Sequence, residues 1–258
     1  MTDLKGKVAW ITGAGSGVGE AAALAFAAEG ASVALSGRRR APLESVAARI
    51  AGAGGTALVV EGDLADLTAP ESIVRKIAER FGRLDVLVNN AGSNVLERSW
   101  GKVRPEGLKL VLDTNLNSAF YCASAALAVM RGQKDGLLIH TASWAGRWAG
   151  VLAGPAYVAA KHAVVAMSHT INMEEFVHGI RSSVLCPNEI ATPILDQRPV
   201  PVPQADRDRM IQPQQMADLM LYIAKLPPSL CVNEVVISPT WNRGYAAALG
   251  VGKPIAST

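Results

Sequence analysis

Four glycines lie within seven residues directly after the first apolar segment of the chain, in the run Thr12-Gly13-Ala14-Gly15-Ser16-Gly17-Val18-Gly19. The segment Val8 to Ile11 before this run is typical of a buried strand, and the Ala-rich stretch after it is typical of a helix. Glycines let a backbone turn tightly against a pyrophosphate, and a helix N-terminus offers unpaired N–H groups and partial positive charge. The order strand, turn, helix therefore predicts a dinucleotide-binding unit, the alternative being a flexible structural loop. The expected phosphate-side residues are Gly13, Ser16, Gly17, Val18 and Gly19.

Short apolar segments rich in β-branched residues recur along the whole chain and predict seven buried strands. They are Val8 to Ile11, Ser32 to Leu35, Ala57 to Val60, Val86 to Val88, Leu137 to Ile139, Ser183 to Leu185 and Val235 to Ile237. Stretches with helical spacing separate them, so the order is β-α throughout. Continuous apolar strands joined by helices indicate a parallel sheet covered on both faces. We therefore expect an α/β, doubly wound (Rossmann) fold, with residues 1–258 forming a single domain.

Composition excludes several classes of protein. Half of the 258 residues are hydrophobic and the net charge is only +3, so a nucleic-acid or membrane surface is not expected.

The cysteines Cys122, Cys186 and Cys231 are odd in number and far apart, which favours buried free thiols in a reducing compartment. The first residues lack the apolar core of a signal peptide, so we expect a cytoplasmic protein. The histidines show no metal-ligand spacing, and no metal is expected; they are His140, His162, His169 and His178.

The end of the second predicted strand bears on the choice of dinucleotide. In such folds a carboxylate about 20 residues beyond the glycines holds the ribose 2′-hydroxyl of NAD. Gly37 occupies that position here, and Arg38 and Arg39 follow it. Guanidinium groups suit the 2′-phosphate of NADP, so NADP is favoured over NAD. The alternative is that these arginines form only a solvated basic start of a helix.

Three residues in the second half of the chain can carry proton-transfer chemistry. Tyr157 and Lys161 are four residues apart in a predicted helix from Tyr157 to Phe176, so they share one face. An ammonium beside a phenol stabilises the phenolate and should lower the pKa of the tyrosine toward that of a working general acid. Ser143 follows the fifth predicted strand, at the edge of the sheet where open α/β folds bind ligands. A Tyr-x-x-x-Lys pair alone is commonplace on helix surfaces, and its weight here comes from the combination.

These elements together resemble the short-chain dehydrogenase/reductase family over essentially the whole chain. The matching positions are Thr12-Gly13-x-x-x-Gly17-x-Gly19, Asp63, Asn89-Asn90-Ala91-Gly92, Asn115, Ser143 and Tyr157-x-x-x-Lys161. The resemblance implies that Tyr157 is the acid/base, that Ser143 polarises the substrate oxygen and that Lys161 also holds the nicotinamide ribose. It implies that Asn115 binds a water that links Lys161 to solvent. It further implies that Asp63 and Leu64 face adenine and that Asn90, Ala91 and Gly92 line the adenosine side.

One position departs from the family's pattern. The family usually has Pro-Gly after the sixth strand, whereas this chain has Pro187-Asn188-Glu189-Ile190-Ala191-Thr192. Asn tolerates a left-handed backbone better than other non-glycine residues, so we expect the turn to survive. Ile190 and Thr192 then lie near the nicotinamide carboxamide.

The remaining segments are assigned to the substrate side. Residues 195–215, which contain alternating prolines, are predicted as an extended loop over the site. The tail from Trp241 to the end has three alternatives: it covers the pocket, docks on a partner subunit or is disordered. Aromatic and polar residues near the catalytic positions are expected to shape the substrate pocket; they are Ser93, Asn94, Trp100, Trp144, Arg147 and Trp148.

The sequence therefore predicts an oxidoreductase that passes a hydride between NADP(H) and a small-molecule carbonyl or secondary alcohol. The alternative from another class is a non-catalytic NADP-binding sensor or scaffold, which would not need the proton-relay residues. A sugar-nucleotide epimerase or dehydratase is disfavoured, because 258 residues leave little room for its added substrate domain. The family resemblance also implies a homo-oligomer, a tetramer or dimer, that pairs through helices around Asn115 to Arg131 and Tyr157 to Phe176.

Overall fold

The computed structural model describes residues 3–198 and 200–251, apart from the side chain of Gln197. Within these residues the strands are β1 Val8–Thr12, β2 Ser32–Gly37, β3 Thr56–Glu61, β4 Val86–Asn89, β5 Gly136–Thr141, β6 Ile180–Pro187 and β7 Glu234–Ile237. They form one sheet in the order β3-β2-β1-β4-β5-β6-β7, and every neighbouring pair is parallel. All seven predicted strands are confirmed, and so is the doubly wound α/β fold in a single domain.

Helices connect successive strands and cover both faces of the sheet. The α-helices are α1 Gly17–Ala28, α2 Arg40–Gly52, α3 Ala69–Phe81, α4 Pro105–Leu112, α5 Ser118–Gln133, α6 Pro155–Glu175, α7 Gln204–Arg207, α8 Pro213–Ala224 and α9 Arg243–Ala248. A π-helical turn at Asp113–Asn117 joins α4 to α5. Short 3-10 turns lie at Trp144–Gly146, Phe176–His178 and Pro193–Gln197.

The hydrophobic core is split by the sheet into two clusters. Alternate residues of β1 point to opposite faces, so that Ile11 joins one cluster and Trp10 the other. The first cluster packs against α1, α2 and α8, and the second against α3, α5 and α6. Because both faces are covered, all four residues of β4 are buried, as expected for a parallel strand.

The two segments predicted to lie on the substrate side, residues 195–215 and the tail from Trp241, both contain helix. The prediction of an extended loop over residues 195–215 is wrong in detail, since the 3-10 turn at Pro193–Gln197, the four-residue α7 and the start of α8 fall within or overlap it. Leu195, Val202 and Met210 pack together there in a small separate cluster. Beyond Trp241 the chain forms α9, and residues 252–258 lie outside the described residues.

A buried carboxylate lies at the opposite edge of the sheet from the predicted site. Asp85, just before β4, accepts hydrogen bonds from Lys7 Nζ at 2.9 Å, Val8 N at 2.9 Å and Arg83 Nη2 at 2.6 Å. Burial alone would raise the pKa of Asp85, but the hydrogen bonds from Arg83, Lys7 and Val8 outweigh burial and lower it. The carboxylate therefore ties the starts of β1 and β4 together in its charged form.

We expect Asp85→Asn to lower the free energy of unfolding by about 1–3 kcal/mol, because charge-assisted hydrogen bonds to a buried group are lost. Because the pKa of Asp85 is depressed in the folded protein, its contribution is present above the unfolded pKa and disappears as the pH falls through the folded value. Urea denaturation at pH 7 and at low pH measures this difference. Asp135→Asn is the matched control, since Asp135 also pairs with Lys7 but is 42% exposed. Equal stability losses in the two variants would contradict the assigned role of Asp85.

Candidate active site

A cavity of about 860 Å³ opens at the carboxyl edge of the sheet. This is where open α/β sheets bind ligands. Most of the residues predicted from the sequence line it: Gly13, Ser16, Gly17, Val18, Asn90, Ala91, Gly92, Asn115, Ser143, Tyr157, Lys161, Ile190 and Thr192. The sheet thus brings residues from almost the full length of the chain into one space.

The glycine turn forms one wall of this cavity and has no room for side chains. A Cβ atom on Gly19 would lie 2.3 Å from the carbonyl oxygen of Gly13, so the turn closes only with glycine there. Gly13 and Gly17 have φ angles of +65° and +57°, in the left-handed region. Ser16 is the N-cap of α1 and its side chain makes no capping hydrogen bond. The backbone N–H groups at this helix end therefore suit the pyrophosphate of a dinucleotide.

Four of the residues assigned to the adenosine end lie outside the cavity: Arg38, Arg39, Asp63 and Leu64. Arg38 and Arg39 are exposed just beyond β2, and Asp63 is exposed beyond β3. The N–H of Gly62 donates to the carbonyl of Gly37 at 3.1 Å, so the two strand ends stay paired up to these residues. Leu64 is buried. The four residues border the same sheet edge as the glycine turn without lining the cavity.

Tyr157, Lys161 and Ser143 come together where β5 leads into α6. Lys161 Nζ donates to the carbonyl of Thr141, the last residue of β5, at 2.8 Å. The same Nζ lies 5.5 Å from the centroid of the Tyr157 ring. Ser143 is hydrogen-bonded to the side chain of Tyr157. Two hydroxyl groups and an ammonium therefore face one end of the cavity.

Burial dominates the acid–base properties of this group. It raises the pKa of Tyr157, while the hydrogen bond from Ser143 and the charges of Arg198 and Arg98 act in the lowering direction. Desolvation lowers the pKa of Lys161 to about 8. The net lowering of the Tyr157 pKa that the Tyr-Lys spacing predicts is not found, because the loss of solvent outweighs the nearby positive charges.

Asn115 lies in the π-helical turn between α4 and α5. Its Nδ2 donates to the carbonyls of Ser93 at 2.7 Å and Val111 at 2.8 Å. Its Oδ1 is buried without a hydrogen-bond partner among the described residues, and a Cβ on Gly92 would lie 2.7 Å from it and 3.6 Å from Lys161 Nζ. The amide is thus fixed by two backbone carbonyls, and its acceptor oxygen lies on the same side of Gly92 as Lys161 Nζ. π-turns often mark such functional positions.

The departure at Asn188 does not disturb the turn after β6. Among the described residues Lys134 is the only non-glycine residue with positive φ, so Asn188 does not need the left-handed backbone that we considered. Its N–H donates to the carbonyl of Ile237 at 2.8 Å, and Ile190 bridges to Ile211. Ile190 and Thr192 line the cavity.

The substrate end of the cavity is partly aromatic. Trp144 stacks on Trp148 with ring centroids 4.4 Å apart, and Tyr245 meets Trp144 edge-on at 6.4 Å. Tyr245 belongs to α9, so the described part of the tail lines the cavity, in agreement with the first of the three alternatives.

Three of the expected pocket residues do not line the cavity. Trp100 is 85% exposed, Arg147 pairs with Glu234 away from the cavity, and the hydroxyl of Ser93 bonds to Thr114. The sequence placed these residues in the pocket because they are near catalytic positions along the chain, and the turns between them direct their side chains elsewhere.

The cavity is also lined by charged residues that no motif in the sequence marks. Glu189 pairs with Arg198 and with Arg243, and Arg98 lines the cavity near them. The pKa of Glu189 is lowered: burial would raise it, but the hydrogen bonds from Arg243 and Arg198 prevail. Up to 54 residues separate these partners along the chain, so no local spacing signals the group.

Other titratable residues carry little chemistry. Within the described part of the chain no three His, Cys, Asp or Glu residues are grouped as a metal site. His140 lies on β5, and burial lowers its pKa to about 3. Cys122 and Cys186 are buried as expected, but Cys231 is exposed, contrary to the prediction.

None of the described helices is long and apolar enough to cross a bilayer.

Comparison with known proteins agrees with this geometry. Residues 7–200 match the family model described as short chain dehydrogenase. A 3β-hydroxysteroid dehydrogenase from Mediterraneibacter gnavus is 32% identical over 191 residues, which cover 74% of this chain and 68% of that protein.

Two solved structures superpose over nearly the whole chain, each with a TM-score of 0.82 and 28% identity. One is an alcohol dehydrogenase from the archaeon Thermococcus sibiricus complexed with 5-hydroxy-NADP, covering 92% of this chain and 98% of that one. The other is a 3-ketoacyl-(acyl-carrier-protein) reductase from Brucella melitensis complexed with NADH, covering 91% and 98%. The family match over three quarters of the sequence, together with this fold, identifies the chain as an oxidoreductase of the short-chain dehydrogenase/reductase family.

Proposed function

We propose that this protein is an NADP-dependent oxidoreductase that interconverts a carbonyl compound and a secondary alcohol. The observation that carries the proposal is the meeting of Ser143, Tyr157 and Lys161 in the cavity that the glycine turn lines. A proton donor for a reacting oxygen is needed where a hydride is exchanged at the adjacent carbon. A pure dinucleotide binder has no need of this arrangement.

The residues present fit a nicotinamide dinucleotide. The turn from Gly13 to Gly19 has the close backbone approach that phosphates require. Lys161 would hold the nicotinamide ribose, and Ile190 and Thr192 would contact the carboxamide. When bound, the nicotinamide supplies the hydride to a carbonyl carbon or takes it from an alcohol. The similar solved structures carry both kinds of dinucleotide, so the preference for NADP rests on Arg38 and Arg39 and on the absence of a carboxylate at Gly37.

Proton transfer is assigned to Tyr157. In the direction of reduction its hydroxyl donates a proton to the carbonyl oxygen as that oxygen gains negative charge, and Ser143 orients the same oxygen by a hydrogen bond. Lys161 Nζ and the buried Oδ1 of Asn115 both border the Cβ position of Gly92, at 3.6 Å and 2.7 Å, and together they would return a proton to Tyr157 from solvent. In the direction of oxidation each transfer runs backwards.

Replacing Tyr157 by Phe tests the assignment of the acid/base. We expect turnover to fall by about 10²–10⁴, because the proton donor is lost while the ring remains. NADPH affinity, measured by fluorescence titration, should stay within about threefold of wild type. Tyr222→Phe is the control, since Tyr222 is an exposed residue of α8. Near-normal turnover of the Tyr157 variant would remove this residue from the mechanism.

Replacing Arg38 and Arg39 by Ala tests the cofactor preference. We expect NADPH affinity to fall about 10–100-fold, the range for losing one or two charge-assisted hydrogen bonds, with NADH affinity changing little. Arg40→Ala provides a neighbouring control, because Arg40 pairs with Glu44 within α2. An equal loss for both cofactors would refute the 2′-phosphate interaction.

The pKa of about 8 for Lys161 predicts a pH dependence of cofactor binding. Below that pH the ammonium can donate a charged hydrogen bond to the ribose, and above it the group becomes neutral. NADPH affinity should therefore fall about tenfold between pH 7 and pH 9.5, as a charged hydrogen bond is lost. Lys161→Met should bind more weakly but with a constant affinity over this range. A parallel decline in both proteins would show that another group titrates.

A further inference from the structure

Positively charged residues outnumber negatively charged ones among the described residues that line the cavity. Among the described residues that line it, Glu189 is the single carboxylate, while the cations are Arg98, Lys161, Arg198 and Arg243. If Lys161 holds the cofactor ribose, as proposed above, three guanidinium groups remain on the substrate side. A cavity for an uncharged ketone gains nothing from them, because each loses part of its hydration when a substrate fills the cavity.

Arg198 is held in place by a chain of ion pairs. It follows the 3-10 turn Pro193–Gln197, and its Nη1 donates to Glu189 Oε1. Arg243 binds Glu189 through both Nε at 2.9 Å and Nη2 at 3.0 Å, and its Nη1 donates to Asp206 at 3.0 Å. Arg198 and Glu189 are only 17% and 13% exposed in their side chains. The Arg198 guanidinium is therefore fixed at the cavity wall, rather than free on the surface.

The backbone at Arg98 is held in place by the residues that lead into α6. Gly154, immediately before α6, has a φ of +79°, and a Cβ there would lie 2.4 Å from the carbonyl oxygen of Arg98. Asn94 Nδ2 also donates to the carbonyl of Ala153 at 2.9 Å. The segment that carries Arg98 thus packs directly on Ala153 and Gly154, which precede α6. Gly154 lies three positions before Tyr157.

The two guanidinium groups act on each other and on Tyr157. Burial is the main cause that lowers the pKa of Arg98, and the positive charge of Arg198 lowers it further. Both charges also oppose the rise in the pKa of Tyr157 that burial causes. Arg98 and Arg198 line the same cavity as Tyr157, so an anion bound in that cavity would be attracted by both charges.

We propose that the substrate carries a carboxylate, which Arg98 and Arg198 bind while its carbonyl or hydroxyl group faces Tyr157 and Ser143. The substrate class is thus an oxo acid or the corresponding hydroxy acid. This inference rests on the proposed function, and the experiment below separates the two.

The test compares each acid with its uncharged methyl ester. The probes are 2-oxobutanoate, 3-oxobutanoate and 4-oxopentanoate with their esters, reduced by NADPH and followed by absorbance. We expect kcat/KM for at least one acid to exceed that of its ester by tenfold or more. In Arg98→Met and in Arg198→Met this ratio should fall at least tenfold, mainly through KM of the acid, because a guanidinium–carboxylate pair is lost.

The variants and controls are chosen to keep the fold intact. In Arg198→Met, Glu189 keeps both hydrogen bonds from Arg243. Arg104→Met is the matched control, since Arg104 is exposed, precedes α4 in the same connection as Arg98 and does not line the cavity. Its acid-to-ester ratio should equal that of the wild type. Wild-type protein alone gives a second measurement: pentanoate should inhibit the reduction of a neutral ketone at lower concentration than pentanamide.

The outcomes are distinguishable. Reduction of esters and neutral ketones without any preference for the acids, or equal inhibition by pentanoate and pentanamide, overturns the carboxylate site and leaves the proposed function standing. A change in the pH profile of the arginine variants with an unchanged ratio would assign these residues to the acidity of Tyr157 alone. Weaker NADPH binding with an unchanged ratio would assign them to the cofactor. No reduction of any ketone, ester or acid by NADPH or NADH would overturn the proposed function itself.

Discussion

The bond between the buried ammonium of Lys161 and the carbonyl of Thr141 fixes the geometry on which the site depends. A cation that is only 4% exposed is costly unless its hydrogen-bonding groups find partners, so this bond holds the start of α6 against the end of β5. Tyr157 lies one helical turn before Lys161, and Ser143 lies two residues after Thr141. A single connection between strand and helix therefore supplies the proton donor, the orienting hydroxyl and the cation, and the glycine turn after β1 adds the phosphate wall.

The fold was largely predictable because its physical requirements are local. Strands buried on both faces must be continuously apolar, and the segments from Val8 to Ile237 show this directly. Element ends were less predictable: β6 reaches back to Ile180 through Arg181 and Ser182, whose side chains bond to other segments instead of following the apolar pattern. The π-turn around Asn115 and the four-residue α7 leave no periodic signal, since each depends on contacts made after the chain has folded.

The candidate site shows the same division between local and long-range information. Tyr157 and Lys161 could be recognised from a spacing of four, and Ser143 from its place after a strand. The ion pairs that join Glu189 to Arg198 and Arg243 could not, because partners brought together by the sheet edge need no fixed spacing. At Trp100 the error is of the opposite kind. Trp100 is near other pocket residues along the chain and was therefore predicted in the pocket, yet it is 85% exposed.

The electrostatics of Tyr157 link the proposed substrate class to the direction of proton transfer. Burial raises the pKa of this residue, and the charges of Arg98 and Arg198 oppose that rise. In a partly dehydrated site, with an effective dielectric constant near 20, a unit charge about 8 Å away is worth roughly 2 kcal/mol. A carboxylate bound between the two arginines would cancel much of their effect, and the pKa of Tyr157 would rise further. When an oxo acid binds, the Tyr157 hydroxyl would therefore be fully protonated, which is the form that reduction requires. When a hydroxy acid binds, the same rise in pKa would disfavour the Tyr157 phenolate, which is the form that oxidation needs.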